Sequence, residues 1–358
     1  MNHQKPAVKH QRVAGLDSIR AICALWVMMA HIGFPPLIEG LDRSNPFGKL
    51  VGGIYGNLWS GPAAVIVFFV VSGFCIHYPF VSSLQIPSLR TYLARRYLRI
   101  GIPLIVAIGI SSVLKNSLSL FNDSILWSLV AEMIYYGLYP GLLACRRKCN
   151  GWAPIILGCV GMALVLASTN PSAGNYPSYG NLGNWIIGLP CWLSGCWLAE
   201  KVQRKEPTLT PSPNSIWTWR LSIWGMATVC SILRYHSPFG YPWTLNLFSI
   251  AVVFWLAHEI AHCTSTPFPR WLEWGGSWSY SLYLIHLLAA PLYGQLNIPN
   301  LGYFFNWTLL VFFVLLCSYL FYLLVELPSH FAARSVGKLL SEARGQRLDQ
   351  EPARRSNN

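Results

Sequence analysis

Apolar residues in this chain gather into long blocks, with polar residues confined mostly to the intervals between them. Ten blocks approach the roughly 20 residues that a helix needs to cross the hydrocarbon layer of a bilayer. They centre on Ala21–Ile38, Pro62–Val81, Ile100–Leu118, Ile125–Ala144, Ala153–Ser168, Trp185–Leu198, Ile216–Leu233, Trp243–Ala261, Tyr280–Gln295 and Tyr303–Val325. Lipid offers no partner to backbone N–H and C=O groups, so each spanning block predicts a helix. The third block, interrupted by Lys115, and the short sixth carry the weakest signal.

Cation placement bears on topology independently. With ten spans both termini fall on one side, and the segments on that side hold Lys5, Lys9 and Arg12; Arg90, Arg95, Arg96 and Arg99; Arg146, Arg147 and Lys148; and Lys201, Arg204 and Lys205. The end of the chain adds Arg334, Lys338, Arg344, Arg347, Arg354 and Arg355, while the opposite segments are nearly empty of cations. Lys/Arg excess marks the cytoplasmic face. The expectation is therefore an all-α integral membrane protein with about ten transmembrane helices and both termini cytoplasmic. It comprises a cytoplasmic N-terminal segment over 1–14, a transmembrane domain over 15–328 and a cytoplasmic polar tail over 329–358, of which Arg334–Asn358 is expected to be mobile.

Composition agrees: 53% of residues are hydrophobic and 11% charged, against about 25% charged in soluble domains. The net charge of +13 is mostly the one-sided cations, so it predicts contact with membrane lipid and no nucleic-acid partner. The first block is too long and too polar for a cleaved signal and is read as a span. The ten Cys lie mostly in apolar blocks and form neither a metal-ligand pattern nor a disulfide framework. Only Glu206–Asn214 reads as a linker.

Ionisable groups at membrane depth are costly, which makes each a candidate for function. In the first block Asp17 and Arg20 are three residues apart and can pair on one helix face. His31 follows Arg20 by eleven residues, on the same face but about 16 Å along the axis, which predicts Arg20 at the interface and His31 near the midplane. The alternative is a snorkelling Arg and a structural His. Ser128, Glu132, Tyr136 and Tyr139 form one polar stripe on the fourth helix, where Glu132 either faces a wet cavity or makes an interhelical hydrogen bond. Ser88–Ile100 reads as an amphipathic helix running into the third span, on which Arg95, Arg96 and Arg99 converge in the fork geometry that suits phosphate, or anchor the chain to anionic lipid. Ser279, Tyr283 and His286 share a face of the ninth helix, and Glu326 precedes Pro328 at the end of the tenth.

Two motifs compete for a different chemistry. His258-Glu259-Ile260-Ala261-His262 matches a zinc-protease helix, yet it falls at the cytoplasmic end of the eighth span, where its side chains can be solvated, and the nearest further acid is Glu273 in a loop. Ser72-Gly73 with His286 would make a Ser–His dyad, without other elements to complete it.

Six stretches in order resemble acyltransferase family 3, multi-span bacterial enzymes that O-acylate sugars and related acceptors. They are Gly15-Leu16-Asp17-Ser18-Ile19-Arg20 with the gap to His31; Phe68 to Phe74 around Ser72-Gly73; Arg95-Arg96-Tyr97-Leu98-Arg99 with Pro103; Leu126-Trp127-Ser128 to Glu132 with Tyr136 and Pro140; Ser279 to His286; and Glu326-Leu327-Pro328. The likeness covers roughly Gly15 to Pro328, and departs at Ser18, where Gly is usual, and at Leu104, where an aromatic often follows Pro103.

The resemblance implies that Arg20 and His31 are essential and that Arg96 and Arg99 form the family's Arg-x-x-Arg element. It implies an acyl-CoA donor, acetyl-CoA by default, and as acceptor a hydroxyl of a cell-surface sugar, polysaccharide or lipid-linked glycan. A bacterial inner-membrane location follows, with no metal and no permanently bound cofactor. Some members append a periplasmic esterase-like domain; this chain is expected to act alone, as a homo-oligomer or with a periplasmic partner. On this reading Arg95, Arg96, Arg99 and Arg20 hold the donor phosphates while the thioester threads towards His31. Neutral His31 serves as general base, oriented by Glu132, or carries the acyl group itself. Asp17, Ser72, Ser128, Tyr136, Tyr283, His286 and Glu326 support substrate or structure. A transporter or flippase is the rival from another class.

Overall fold

The computed structural model describes residues 13–114, 125–171, 173–205 and 216–355, which are helical with no strand among them. Lys5, Lys9, Arg12, Lys115 and the linker Glu206–Asn214 lie outside the described residues, as do the side chains beyond Ala343. Each of the ten apolar blocks lies on its own helix: α1 (Leu16–Ile32), α3 (Gly61–His77), α4 (Leu89–Val113), α5 (Leu126–Lys148), α6 (Ala153–Thr169), α7 (Gly180–Gln203), α8 (Ile216–His236), α9 (Tyr241–Cys263), α11 (Ser279–Gln295) and α12 (Tyr303–Phe321). Among the described residues, four helical stretches are long and apolar enough to cross a membrane by length and composition alone: Pro46–Phe80, Leu89–Val113, Tyr241–Cys263 and Tyr303–Ala343.

Three further helices complete the described fold. α2 (Pro46–Asn57) starts where the Asn45 side chain accepts a hydrogen bond from the Gly48 N–H at 2.7 Å and Pro46 occupies the first turn, a strong N-terminal signal. α10 (Arg270–Gly276) lies across α1, where the Ser18 hydroxyl donates to Glu273 at 2.7 Å. α13 (Leu327–Arg355) occupies the segment expected to be a mobile polar tail. It continues from α12 through a π-helical turn over Tyr322–Glu326 and packs along α4.

The first helix begins and ends earlier than its apolar block. Gly15 caps it at φ 87° and Gly33 closes it at φ 105°, both left-handed conformations that glycine adopts without strain, and Pro35 and Pro36 prevent continuation. His31 therefore sits in the last turn of α1 and is exposed, rather than at the middle of a span. Arg20 is in the second turn, at the other end.

Packing explains the Ser72-Gly73 motif. α3 and α7 form the tightest seam of the bundle: a Cβ on Gly73 would lie 1.9 Å from the Trp192 carbonyl oxygen, and one on Gly195 would lie 2.0 Å from that of Val70. Glycines facing each other let the two backbones meet, as small residues do between membrane helices.

Charges inside the bundle are paired. Glu259, fully buried, accepts from Arg220 through both guanidinium branches at 2.5 and 3.1 Å and from the Trp255 indole at 2.9 Å. That removes the centre of the H-E-x-x-H pattern from solvent and from any metal: its carboxylate is committed, and His258 stacks on Trp219 instead. Glu273, the other acid considered for that pattern, is held by Ser18. Among the described residues no group of three His, Cys, Asp or Glu is arranged to hold a metal ion, and all ten cysteines are free thiols. At the shared ends of α3, α5 and α7, Glu200 accepts from Arg146 at 2.7 and 2.8 Å and lies 3.1 Å from buried His77, whose other ring nitrogen meets Tyr139 at 2.8 Å.

Breaking such a pair strands a charge in a low-dielectric interior, which costs about 3–5 kcal/mol when one partner is removed. Glu259→Ala is expected to lower the thermal unfolding midpoint of the purified protein clearly, and Arg220→Met with Glu259→Leu to recover most of the loss. A Glu259→Ala midpoint equal to the parent's would contradict a structural role for the pair.

Candidate active site

A cavity of about 910 Å³ opens between α4 and α13 and runs inward along α3, from Pro79 and Phe80 at its mouth to Val65 at its inner end. Val65 and Pro79 are fourteen positions apart along α3 and the short turn that follows it, or about 21 Å. The volume is at the upper end of the range for sites that bury an organic ligand, about 300–1,000 Å³.

Most of the residues singled out by sequence line this one space. Asp17 and Arg20 from α1, Ser72 from α3, Arg95, Arg96 and Arg99 from α4, Ser128, Glu132 and Tyr136 from α5, Tyr283 from α11 and Glu326 from the π-helical turn all reach it. α4 starts at a capped Ser88, whose hydroxyl accepts from the Thr91 N–H, and its three arginines follow at helical spacing. Arg20 donates to Asp17 at 3.1 Å, three residues away as the spacing predicts. Arg95 and Arg96 make no hydrogen bond or ion pair with any described residue.

Glu132 is held by neighbours other than the one expected. Its carboxylate accepts from the Ser72 hydroxyl and from the Tyr136 hydroxyl, each at 2.5 Å, and the Trp192 indole donates to Ser72 at 3.2 Å. The structure makes no contact between Glu132 and His31, so the triad-like orientation of His31 by Glu132 is not formed. Ser128, Glu132 and Tyr136 of the polar stripe on α5 instead serve the cavity wall, where Ser72 on α3 meets Glu132 and Tyr136, while Tyr139 turns to His77.

His31 meets a different partner. Its Nδ1 lies 2.7 Å from the Val27 carbonyl oxygen and 3.3 Å from Nε2 of His286, which is fully buried. His286 Nδ1 lies 3.0 Å from the Leu282 carbonyl oxygen. A carbonyl only accepts, so hydrogen-bond logic assigns the Nδ1–H tautomer to both rings. His286 Nε2 is then an acceptor turned to His31 Nδ1–H, and Nε2 of His31 is left as the unprotonated nitrogen of the pair.

Neither imidazole lines the cavity. Between them and its inner end stand Phe68 and Tyr283, with ring centroids 6.0 Å apart. Tyr283 lies 2.7 Å from the Ser128 hydroxyl and donates to the Ile125 carbonyl at 2.9 Å, and its ring centroid is 6.2 Å from that of His286. The Ser72–His286 dyad also fails, since Ser72 is bound within the Glu132 cluster.

The sequence reading missed the wall built by α13. His330 and Arg334 reach the cavity, and His330 Nε2 accepts from the Arg99 Nε–H at 3.1 Å. Glu326 is buried and accepts from both the N–H and the hydroxyl of Ser281, at 3.0 and 2.5 Å. Pro328 made the helix appear to stop; it is tolerated because it stands at the second position of α13, after the π-helical turn. The available signal was His330, Arg334, Gly337 and Ser341 recurring at helical spacing through the polar tail.

The profile of acyltransferase family 3, described as an acyltransferase domain, matches residues 13–323. No curated protein and no solved structure matches the chain. The matched region covers far more than half of the sequence and contains the apolar helices and most of the residues that line the cavity, so the protein belongs to acyltransferase family 3 and is a membrane acyltransferase.

Proposed function

We propose that the protein transfers an acyl group, acetyl in the first instance, from cytoplasmic acyl-CoA to a hydroxyl of a sugar, polysaccharide or lipid-linked glycan at the far side of a bacterial inner membrane. The observation that carries this reading is the cavity: an arginine-lined mouth at one end and, just beyond the other, an imidazole whose free nitrogen is set by its neighbours. The ten helices that carry the apolar blocks are read as ten spans with both termini cytoplasmic. Gathering of Arg146, Arg147, Lys148 and Lys201 at the ends of α5 and α7 supports that orientation.

In this mechanism Arg95, Arg96 and Arg99 bind the anionic phosphates of the donor, with Arg20 deeper in the cavity. The pantetheine arm follows α3 inward, and the thioester reaches His31 when Tyr283 turns away from Ser128. The acceptor hydroxyl approaches exposed His31 from the other side. Nε2 of His31 takes the hydroxyl proton as the oxygen attacks the thioester carbonyl, the C–S bond breaks, and the proton passes to the departing thiolate. Positive charge on the imidazolium is met by the Val27 carbonyl and the lone pair of His286, the orienting role that Glu132 was expected to fill. Glu132 instead holds Ser72 and Tyr136 in the cavity wall.

Loss of a general base typically costs about 10²–10⁴-fold, so His31→Gln is expected to reduce transfer of labelled acetyl from acetyl-CoA to membrane acceptors by that order, with normal insertion in the membrane. Parent-level transfer would end the assignment. His286→Gln keeps an acceptor and is expected to retain more turnover than His286→Phe; equal losses would reduce His286 to packing. Replacing Arg96 and Arg99 together by Gln is expected to raise KM for acetyl-CoA about 10-fold or more and to leave KM for the acceptor unchanged. An unaltered donor KM would return both arginines to lipid anchoring.

A further inference from the structure

The helix that follows the family-matched region forms one wall of the cavity mouth. The match ends at residue 323, and α13 begins at Leu327. His330, Ala333, Arg334 and Ser341 on α13 line the cavity, and Gly337 falls on the same helical stripe. Ser88, Thr91, Tyr92, Arg95, Arg96 and Arg99 on α4 face them. The two stripes are pressed together at Gly337: a Cβ there would stand 2.1 Å from Arg95 Nε and within 2.9 Å of its Cγ and Cδ. The Arg95 side chain therefore lies directly over a glycine that leaves it room to reach the mouth. At the base of the stripe, His330 Nε2 receives the Arg99 N–H and fixes that guanidinium in turn.

The charge balance of this mouth points to an anion. Arg95, Arg96, Arg99 and Arg334 surround it, and like charges gathered this closely repel. Of the three carboxylates that line the cavity with them, Asp17 is paired with Arg20 further in, Glu132 accepts from Ser72 and Tyr136, and Glu326 accepts from Ser281 and lies 3.5 Å from His330. Lys338, in contrast, turns outward to Glu342 at 3.8 Å, so the basic residues of α13 are sorted between the cavity and the outer surface.

We infer that α13 is a working part of the donor site: Arg334 binds a phosphate of the donor's nucleotide end, while Gly337 and His330 position Arg95 and Arg99 for the others. The inference rests on the acyl-CoA reading above. The phosphate recognised at this mouth has two sources, the nucleotide end of the donor or an anionic lipid headgroup, and the donor is favoured because Arg334 lines the cavity that leads inward.

Binding of CoA itself, measured by calorimetry on the full-length protein in phosphatidylcholine nanodiscs, tests this. Arg334→Gln and Gly337→Ala are each expected to weaken CoA binding about tenfold, the order of one charge-assisted contact. Because Ala is a better helix former than Gly, Gly337→Ala should keep or raise the thermal midpoint, so a misfolded helix is excluded as the cause. In an Arg95→Ala background Gly337→Ala should have no further effect. Parent-like CoA affinity in both variants, with the parent binding CoA, overturns the role of α13 and leaves the donor reading standing. Failure of the parent itself to bind CoA removes the donor reading and this inference with it. A defect seen only when phosphatidylglycerol is added to the nanodiscs assigns α13 to lipid headgroups and likewise overturns the inference.

Discussion

An imidazole whose Nδ1 faces the carbonyl one helical turn earlier has its tautomer set by that carbonyl, and that constraint governs the chemistry of this site. His31 faces Val27 in this way and His286 faces Leu282. Two rings so fixed can touch only as donor and acceptor, Nδ1–H of His31 to Nε2 of His286. The base nitrogen is therefore selected by backbone geometry, and a second imidazole takes the place that a carboxylate holds in a serine-hydrolase triad. The difference has an electrostatic reason. A neutral acceptor can be buried here without a counter-charge, whereas an ionised carboxylate at membrane depth needs several donors of its own. Glu132 has donors in Ser72 and Tyr136, and it makes no contact with His31.

The same demand for partners organises the rest of the bundle. Glu259 is satisfied by Arg220 and Trp255, and Glu200 by Arg146 and His77. At the cavity mouth, Arg95 and Arg96 have no such partner among the described residues. Close packing then sets the walls around that exception. Gly73 and Gly195 bring α3 onto α7 so that Ser72 can reach Trp192 and Glu132. Gly337 brings α13 onto α4 so that Arg95 has a defined path.

Apolar block length located ten of the helices, because a block long enough to span must close its own backbone hydrogen bonds. Helical spacing likewise identified the Asp17–Arg20 pair and the shared face of Ser128, Glu132 and Tyr136, since both depend only on residues within one helix; Tyr139, expected on that face, turns to His77. Contacts between helices were less legible. Glu132 and His31 each stood out as a polar residue in apolar surroundings, yet nothing local states which of several faces each one meets. His286 was visible on the face of its own helix with Ser279 and Tyr283, but its pairing with His31, across more than 250 residues of chain, was not. α13 was hidden by composition: a polar, basic sequence after a proline reads as a free tail, and only its docking on α4 gives it structure. The H-E-x-x-H pattern failed for a related reason, because its glutamate is consumed by an arginine from α8.

An arginine-lined mouth and a base reached from the opposite side make sense together only if the acyl end of the donor travels the length of α3. That path is tested most directly by photocrosslinking, with a CoA thioester carrying a photoreactive group at the end of its acyl chain, irradiated in native membranes and mapped by peptide mass spectrometry. The account predicts adducts on Phe68, Tyr283, His286 or His31, competed away by acetyl-CoA. Competable adducts confined to Trp26, Trp224 and Trp255, in the separate apolar groove between α1, α3, α8 and α9, would contradict it.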